Sequence, residues 1–334
     1  MIRIKDIADE IGVSATTVSN VIHGKDQRVS KDTKEKIERA LKEKGYVPRM
    51  SALMLARDHS GMIGVVINKR KDSDSITLED PYFSSLVGYL EYFIRKNGRY
   101  MLIIAEQDEE EIIKQAYSWN LEGLIVCNRG EEELLDLSRH YNGSLISVDT
   151  YLSHPVDFIH IMTDDFSGGY QMAKYLISRG KKKISMVADN DYGVDHYRWL
   201  GFREAMVEEK LEITKDSRII ISTDYEERIE EYKNHLAFYR SREALFFASD
   251  YYALEASSFF MSMGIHIPND LSIAGFDHLL YARLLHPRLT TIHQAIDQKA
   301  EMAVNALLEQ IRQKEIKDKK RELPVKLIIG ESTN

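Results

Sequence analysis

The chain holds a single cysteine, Cys127, which excludes an internal disulfide and any cysteine-rich zinc site. That cysteine closes the run GLIVC and reads as a buried strand thiol, not a nucleophile. No apolar stretch approaches the length needed to cross a bilayer, and the N-terminus is polar from Arg3 onward. Neither a membrane span nor a signal peptide is expected, and the protein is expected in the cytoplasm. The motifs of catalysis are missing as well. There is no GxSxG, Walker loop, GxGxxG or zinc-spaced histidine set, so no enzyme activity, cofactor or metal is expected.

What is present is unevenly distributed. The chain of 334 residues carries a net charge of −8, an average that argues against a nucleic-acid binder. Divided at residue 57, it gives 12 Lys and Arg against 8 Asp and Glu, or +4, in the first part and −12 in the rest. A basic head on an acidic body fits a DNA reader with a separate sensing module, because only the head meets phosphates. The length allows two or three domains with a sizeable core.

The head is dominated by Ile4 to His23, IKDIADEIGVSATTVSNVIH, which predicts two short helices joined by a tight turn. Ile7, Ala8, Ile11, Val13, Val18 and Val21 are spaced to fold one helix across the other over one small core. Gly12 sits at the corner, where a positive φ is needed, and Ser14 falls where an N-cap belongs. The second helix then turns outward Ala15, Thr16, Thr17, Ser19, Asn20 and His23, a short, polar, nearly uncharged face suited to base edges in a major groove. A third helix is predicted from Ser30 to Lys44, with Ile37, Ala40 and Leu41 inward and Gly45 as its stop.

These residues, with GYVP and the SALMLAR segment behind them, resemble the lactose-repressor (LacI/GalR) family of bacterial transcription regulators. The resemblance covers essentially the whole chain. It implies an all-α helix-turn-helix head over residues 1–47, with Ser14, Ala15, Thr16, Thr17, Ser19, Asn20 and His23 at the DNA. Asn20 replaces the arginine most relatives carry, and asparagine favours adenine over guanine. Residues 48–60 hold MSALMLAR, a helical pattern with little of its own to pack against. In the family this is the hinge helix, which folds on the operator and pushes a leucine into the minor groove. By motif position the wedge is Leu55, with Ala52 beside it and Arg49, usually an asparagine, placed for a phosphate.

From Met62 the pattern alternates. IGVVI, YMLIIA, GLIVC, SLISV, IHIMT, KISMVA, RIIIS, ALFFAS and LSIAGF are short strand-like runs separated by helical segments, which implies parallel sheets with helices on both faces. The body over 61–334 is thus read as an α/β pair of lobes. The resemblance adds a periplasmic-binding-protein-like architecture in which the chain crosses between lobes near 160, 290 and 322. Lobe 1 then takes about 61–161 and 291–321, and lobe 2 about 162–290 and 322–334. The lobes face each other over a cleft, where small ligands bind at the carboxyl ends of strands.

Candidate cleft residues fall at strand ends. Tyr82 and Phe83 in DPYF offer apolar or stacking contacts, and Tyr225 stands where some members stack an aromatic on the ligand. Asp164 resembles the aspartate of a family motif, with Asp165 where asparagine is usual, and Arg198 matches the arginine that grips the effector. Asp250, preceded by Ser249 in place of asparagine, and Asp277 in GFDH complete the set. Carboxylates, a planar guanidinium and rings make a reasonable sugar site. Five of these residues also have a structural reading: helix caps for Asp164 and Asp250, lobe packing for Tyr82 and Tyr225, a solvated helix arginine for Arg198.

The expected partners are double-stranded operator DNA, a small effector such as a sugar or sugar phosphate, and a second copy of the chain. RLTTIHQ and LIIGEST resemble the family's second crossover and closing strand, and no heptad tail follows Gly330, so a dimer is expected. A repressor of a carbohydrate operon is the leading expectation. Family members governed by a purine or nucleoside, or by a phosphorylated partner protein, are the alternative.

Overall fold

The computed structural model describes residues 2–22, 24–47, 60–67, 77–313 and 318–334. His23, Arg49, Ala52 and Leu55, four of the residues expected at DNA, lie outside the described residues.

In the head, helices α1 (Ile4–Ile11), α2 (Ala15–Ile22) and α3 (Lys31–Glu43) enclose one apolar cluster. Ile7, Val18 and Ile37, one from each helix, are fully buried at its centre. Gly12 ends α1 with φ +75° and donates its N–H to Ala8 O at 3.0 Å. The Ser14 hydroxyl oxygen accepts the Thr17 N–H at 3.0 Å and so caps α2, while Ser30 does the same for α3 through Thr33.

Among the described residues the body is built from two six-stranded sheets. The first sheet takes β1 (Met62–Ile67), β2 (Tyr100–Ala105), β3 (Gly123–Cys127), β4 (Ser144–Val148) and β5 (Ile159–Thr163). Between these strands run α4 (Pro81–Lys96), α5 (Glu109–Ser118) and α6 (Glu131–His140). The second sheet begins after α7 (Asp165–Ser178) and takes β6 (Ile184–Ala188), β7 (Arg218–Ile220), β8 (Ala244–Phe247), β9 (Ser272–Asp277) and β10 (Thr290–Gln294). Its helices are α8 (Gly193–Glu208), α9 (Tyr225–Asn234), α10 (Leu236–Arg240), α11 (Asp250–Ser262) and α12 (Leu280–Leu284). Helix α13 (Ile296–Ile311) and strand β11 (Lys320–Leu323) return to the first sheet, and β12 (Val325–Ile328) ends in the second.

The strand orders are β11-β5-β4-β3-β1-β2 and β12-β10-β9-β8-β6-β7. All pairs are parallel except β10 with β12. Strands covered on both faces are near-continuous apolar runs, and β3, β6 and β8 are buried along their whole length, Ser185 of β6 being satisfied by donating its hydroxyl to Asp216 O at 2.7 Å. The three crossings fall after Thr163, Gln294 and Leu323, one to four residues beyond the positions the family resemblance implied. Residues 162–163 and 322–323 therefore belong to the first sheet and 291–294 to the second. Hydrogen bonding sets these limits: Thr163 pairs with Leu323 inside the first sheet, and Gln294 with Val325 inside the second.

One packing contact in the second lobe bears directly on the site. Helices α7 and α8 meet backbone to backbone through two glycines. A Cβ on Gly169 would lie 1.9 Å from Arg198 O, and one on Gly201 would lie 1.8 Å from Phe166 O. The approach fixes where α8 presents Arg198. Replacing a helical glycine by alanine ordinarily gains about 1 kcal/mol of helix propensity, but here the clash reverses the sign. Gly169→Ala is expected to lower the melting temperature, measured by circular dichroism, where an exposed helical glycine replaced in the same way would raise it.

Candidate functional site

The crossings bring strand ends of both sheets together, and a chain of buried polar side chains runs through that junction. On the first lobe, Lys299 in the opening turn of α13 is 1% exposed. Its Nζ donates to Asp149 Oδ1 at 2.7 Å, to the Tyr82 hydroxyl at 3.0 Å and to Gln294 Oε1 at 2.7 Å. The Tyr82 hydroxyl also donates to Asp149. Gln294 then spans the lobes. Its Oε1 accepts from the Thr163 hydroxyl at 3.1 Å, and its Nε2 donates to Asp277 Oδ1 at 2.5 Å.

On the second lobe the centre is Arg198, 6% exposed. Its Nε donates to Asp165 Oδ1 at 2.8 Å and its Nη1 to Ala248 O at 2.5 Å, with Asp195 Oδ1 at 3.5 Å. The guanidinium carbon stands 3.7 Å from the centre of the Phe276 ring, a cation–π contact in a desolvated setting. Burial alone would depress the guanidinium pKa, but Asp165, Asp195 and Asp277 outweigh it and raise it. The carboxyls respond the other way. Burial pushes Asp277 well above the usual carboxylate range against the pull of Arg198, and it pushes Asp195 up to about 8 and Asp250 up to about 7. Among the described residues the carboxyls packed here outnumber the cations, and burial is the main reason that Asp195 and Asp250 are shifted toward neutrality.

The residues singled out in the sequence divide by placement. Arg198, Asp277 and Tyr82 are part of this junction. Asp277 and His278 have φ of +116° and +58°, strained values for residues with a Cβ, at the carboxyl end of β9. Asp250 is fully buried beside them, accepting from the Thr291 hydroxyl at 2.6 Å and the Leu279 N–H at 2.8 Å, while Ser249 is the cap of α11. Asp164 caps α7, accepting the Ser167 N–H at 2.9 Å. Phe83 is 7% exposed and belongs to the first lobe's core, because a helix entering at Pro81 turns its third residue inward. Tyr225 is 52% exposed and lines an open groove of about 620 Å³ with Pro81, Tyr251, Tyr281 and Leu284.

Residues missed in the sequence are Lys299, Asp149, Gln294, Asp195 and the pair Tyr151 and Tyr197, while Asp165 stands out there only as a departure from the family motif. A signal for Lys299 existed: it lies on the apolar stripe of α13, Ile296, Lys299, Ala300, Ala303, where a lysine must be paired. Asp149 directly follows a buried strand, the usual place for a cleft residue. Among the described residues no group of three or more His, Cys, Asp or Glu side chains could hold a metal ion. No helix of the described residues is long and apolar enough to cross a membrane.

The family model for bacterial regulatory proteins of the lacI family matches residues 3–49, and that for a periplasmic binding protein-like domain matches 173–333. The HTH-type transcriptional repressor PurR of Haemophilus influenzae (strain PittEE) is 32% identical over 324 residues, covering 94% of this chain and 93% of that protein. This chain belongs to the lacI family. PurR of Mannheimia succiniciproducens is 29% identical over 99% of this chain and 98% of its own length. Among solved structures, the lac repressor dimer bound to operator and the anti-inducer ONPF superposes with a TM-score of 0.85 at 21% identity, covering 99% of each chain. The CelR–cellobiose complex gives 0.72 at 22% identity over 99% of this chain and 100% of that one. As a lacI-family member the chain is a DNA-binding transcription regulator and not an enzyme.

The protonated cluster makes a prediction. Asp195 titrates near its ordinary 3.8 when unfolded and near about 8 when folded. The folded protein therefore binds more protons between those values, and stability falls as pH rises through that window. Asp195→Asn removes this contribution. Its melting temperature should fall less than the wild type's between about pH 5 and pH 8, followed by differential scanning calorimetry.

Proposed function

We propose that the chain is a homodimeric repressor, acting in the cytoplasm, whose hold on a pseudo-palindromic operator is set by a small polar molecule bound between the lobes. The observation that carries this reading is the union in one chain of a polar-faced helix-turn-helix with a two-lobed body centred on Arg198. The repressing sign is taken from the PurR relatives.

In the head, Ser14, Ala15 and Thr16 are exposed and Thr17, Ser19 and Asn20 half-buried around α2, which leaves their polar groups for base edges and phosphates. The roles of His23, Arg49, Ala52 and Leu55 rest on the resemblance. Two apolar surfaces support dimerisation, one on each lobe: Tyr89, Tyr92, Tyr100 and Ile103 on α4 and the edge strand β2, and Leu280, Tyr281 and Leu284 on α12. Exposed apolar residues gathered in this way suit a two-fold interface.

For the effector, Arg198 and Asp277 offer a donor beside an acceptor, which suits either a vicinal diol or the edge of a base. A sugar fits the carboxylate-rich setting. The relatives are transcriptional repressors named PurR, and that name favours a purine or nucleoside. The effector acts by stabilising one angle between the lobes, which sets the spacing of the two heads.

The test is selection of random duplexes by the purified protein, with and without purines and sugars, at near-physiological salt. An enriched pseudo-palindrome with a flexible central step is expected, its binding altered by one ligand class. No enrichment under any condition contradicts the reading. On the selected site, Leu55→Ala should weaken specific binding far more than nonspecific binding; equal losses in both would remove Leu55 from the minor groove.

A further inference from the structure

Across the cleft, one aromatic ring of the first lobe is docked on the second. Tyr151, on the segment between β4 and β5, stacks on Tyr197 of α8 with ring centres 3.6 Å apart and planes 11° from parallel. Its hydroxyl donates to Asp165 Oδ2 at 2.8 Å, the carboxylate whose other oxygen is held by Arg198. The ring thus lies against the residues at the centre of the proposed effector site.

We propose that Tyr151 is an internal occupant of the effector subsite, and that the effector is a flat heteroaromatic ring with an N–H or O–H on its rim. Such a ring takes the place of the Tyr151 ring on Tyr197 and of its hydroxyl on Asp165. The inference rests on the reading of the inter-lobe cleft as the effector site, and it adds a stacking platform, Tyr197, that the sequence did not indicate, and makes Asp165, noted there only as a departure from the motif, an acceptor.

Three observations support the exchange. Two phenol rings nearly face to face at this separation are in the arrangement their quadrupoles disfavour relative to offset or edge-on packing. An electron-poor heterocycle stacks on Tyr197 without that penalty. Tyr151 is only half-buried and the residues just beyond it, Ser153, His154 and Pro155, are exposed, so the ring leaves toward solvent about the point where Ser153 is anchored to Glu131. Asp165 is 1% exposed, so once Tyr151 leaves, its Oδ2 needs a new donor, and a rim N–H or O–H supplies one. A puckered sugar offers the hydroxyl but no flat face of ring size for the platform.

The experiment opens the slot and asks what refills it. Tyr151→Gly in the full chain is melted in the presence of millimolar p-cresol, toluene or glucose, beside the wild type. The proposal expects p-cresol to raise the melting temperature of the variant by a few degrees, toluene to do so less and glucose not at all. The wild type should respond to none, and the response should vanish in Tyr151→Gly/Tyr197→Leu. If the glycine variant does not fold, Tyr151→Ala with phenol carries the same comparison. Equal responses to p-cresol and toluene, a preference for glucose, no response in the variant, or survival of the response without Tyr197 would each overturn it. Operator affinity of the wild type, followed in parallel against purines and sugars, separates the two readings. A slot that refills as expected while no ligand alters DNA binding contradicts the regulatory reading alone. Ligand-dependent DNA binding with a slot that stays empty contradicts this inference alone.

Discussion

The body depends on one carboxamide. Gln294 ends the last strand before the chain returns to the first lobe, and its two ends are committed to opposite lobes: Oε1 to Lys299 and Thr163, Nε2 to Asp277. Both lobes reach the joint as rigid sheets, so small rotations of one against the other must stretch or break these bonds. Buried and fully engaged, such a group costs more to break than a surface contact, because the partners left behind are an ammonium and a carboxyl without solvent. The Gln294 bonds at the crossings are therefore a directional restraint on the lobe angle, beside the docking of Tyr151 on Tyr197 and Asp165 and the packing of Leu279 in the first lobe's core.

Charge explains why the junction responds. Among the described residues, Arg198 and Lys299 are the buried cations here, and Asp149, Asp165, Asp195 and Asp277 are packed around them. Arg198 is locked by Asp165, the Ala248 carbonyl and the Phe276 ring, and its position is set in turn by the glycine contact between α7 and α8. The sequence pairs DDFSGG and HYRWLGF are thus one device: the glycines bring two helices close enough for the arginine of one to reach the aspartate of the other.

Much of this was legible in the residues. The head could be read from Gly12, Ser14 and the spacing of Ile7, Val18 and Ile37, since a small helical core is specified almost entirely by local pattern and caps. The two lobes could be read from the alternation of strand and helix, and the family resemblance supplied the crossings to within a few residues. The junction was harder. Arg198 and Asp277 stand out by motif, but Lys299, Asp149 and Tyr151 become a site only when segments about 150 residues apart meet, as Lys299 and Asp149 do. No local period encodes that meeting. Phe83 shows the converse limit: it lies beside Tyr82 in a promising motif, yet one residue of helical rotation commits it to the core.

The most direct test of the account is the distance between the lobes, measured by pulsed electron spin resonance with one label on α5 and one on α9, in the wild type and in Gln294→Leu. If directional bonds at Gln294 hold the angle, the wild type gives one narrow distance distribution and the variant a broad or shifted one, with both sheets still folded. A variant distribution that matches the wild type would mean that the angle is held elsewhere and would contradict the account.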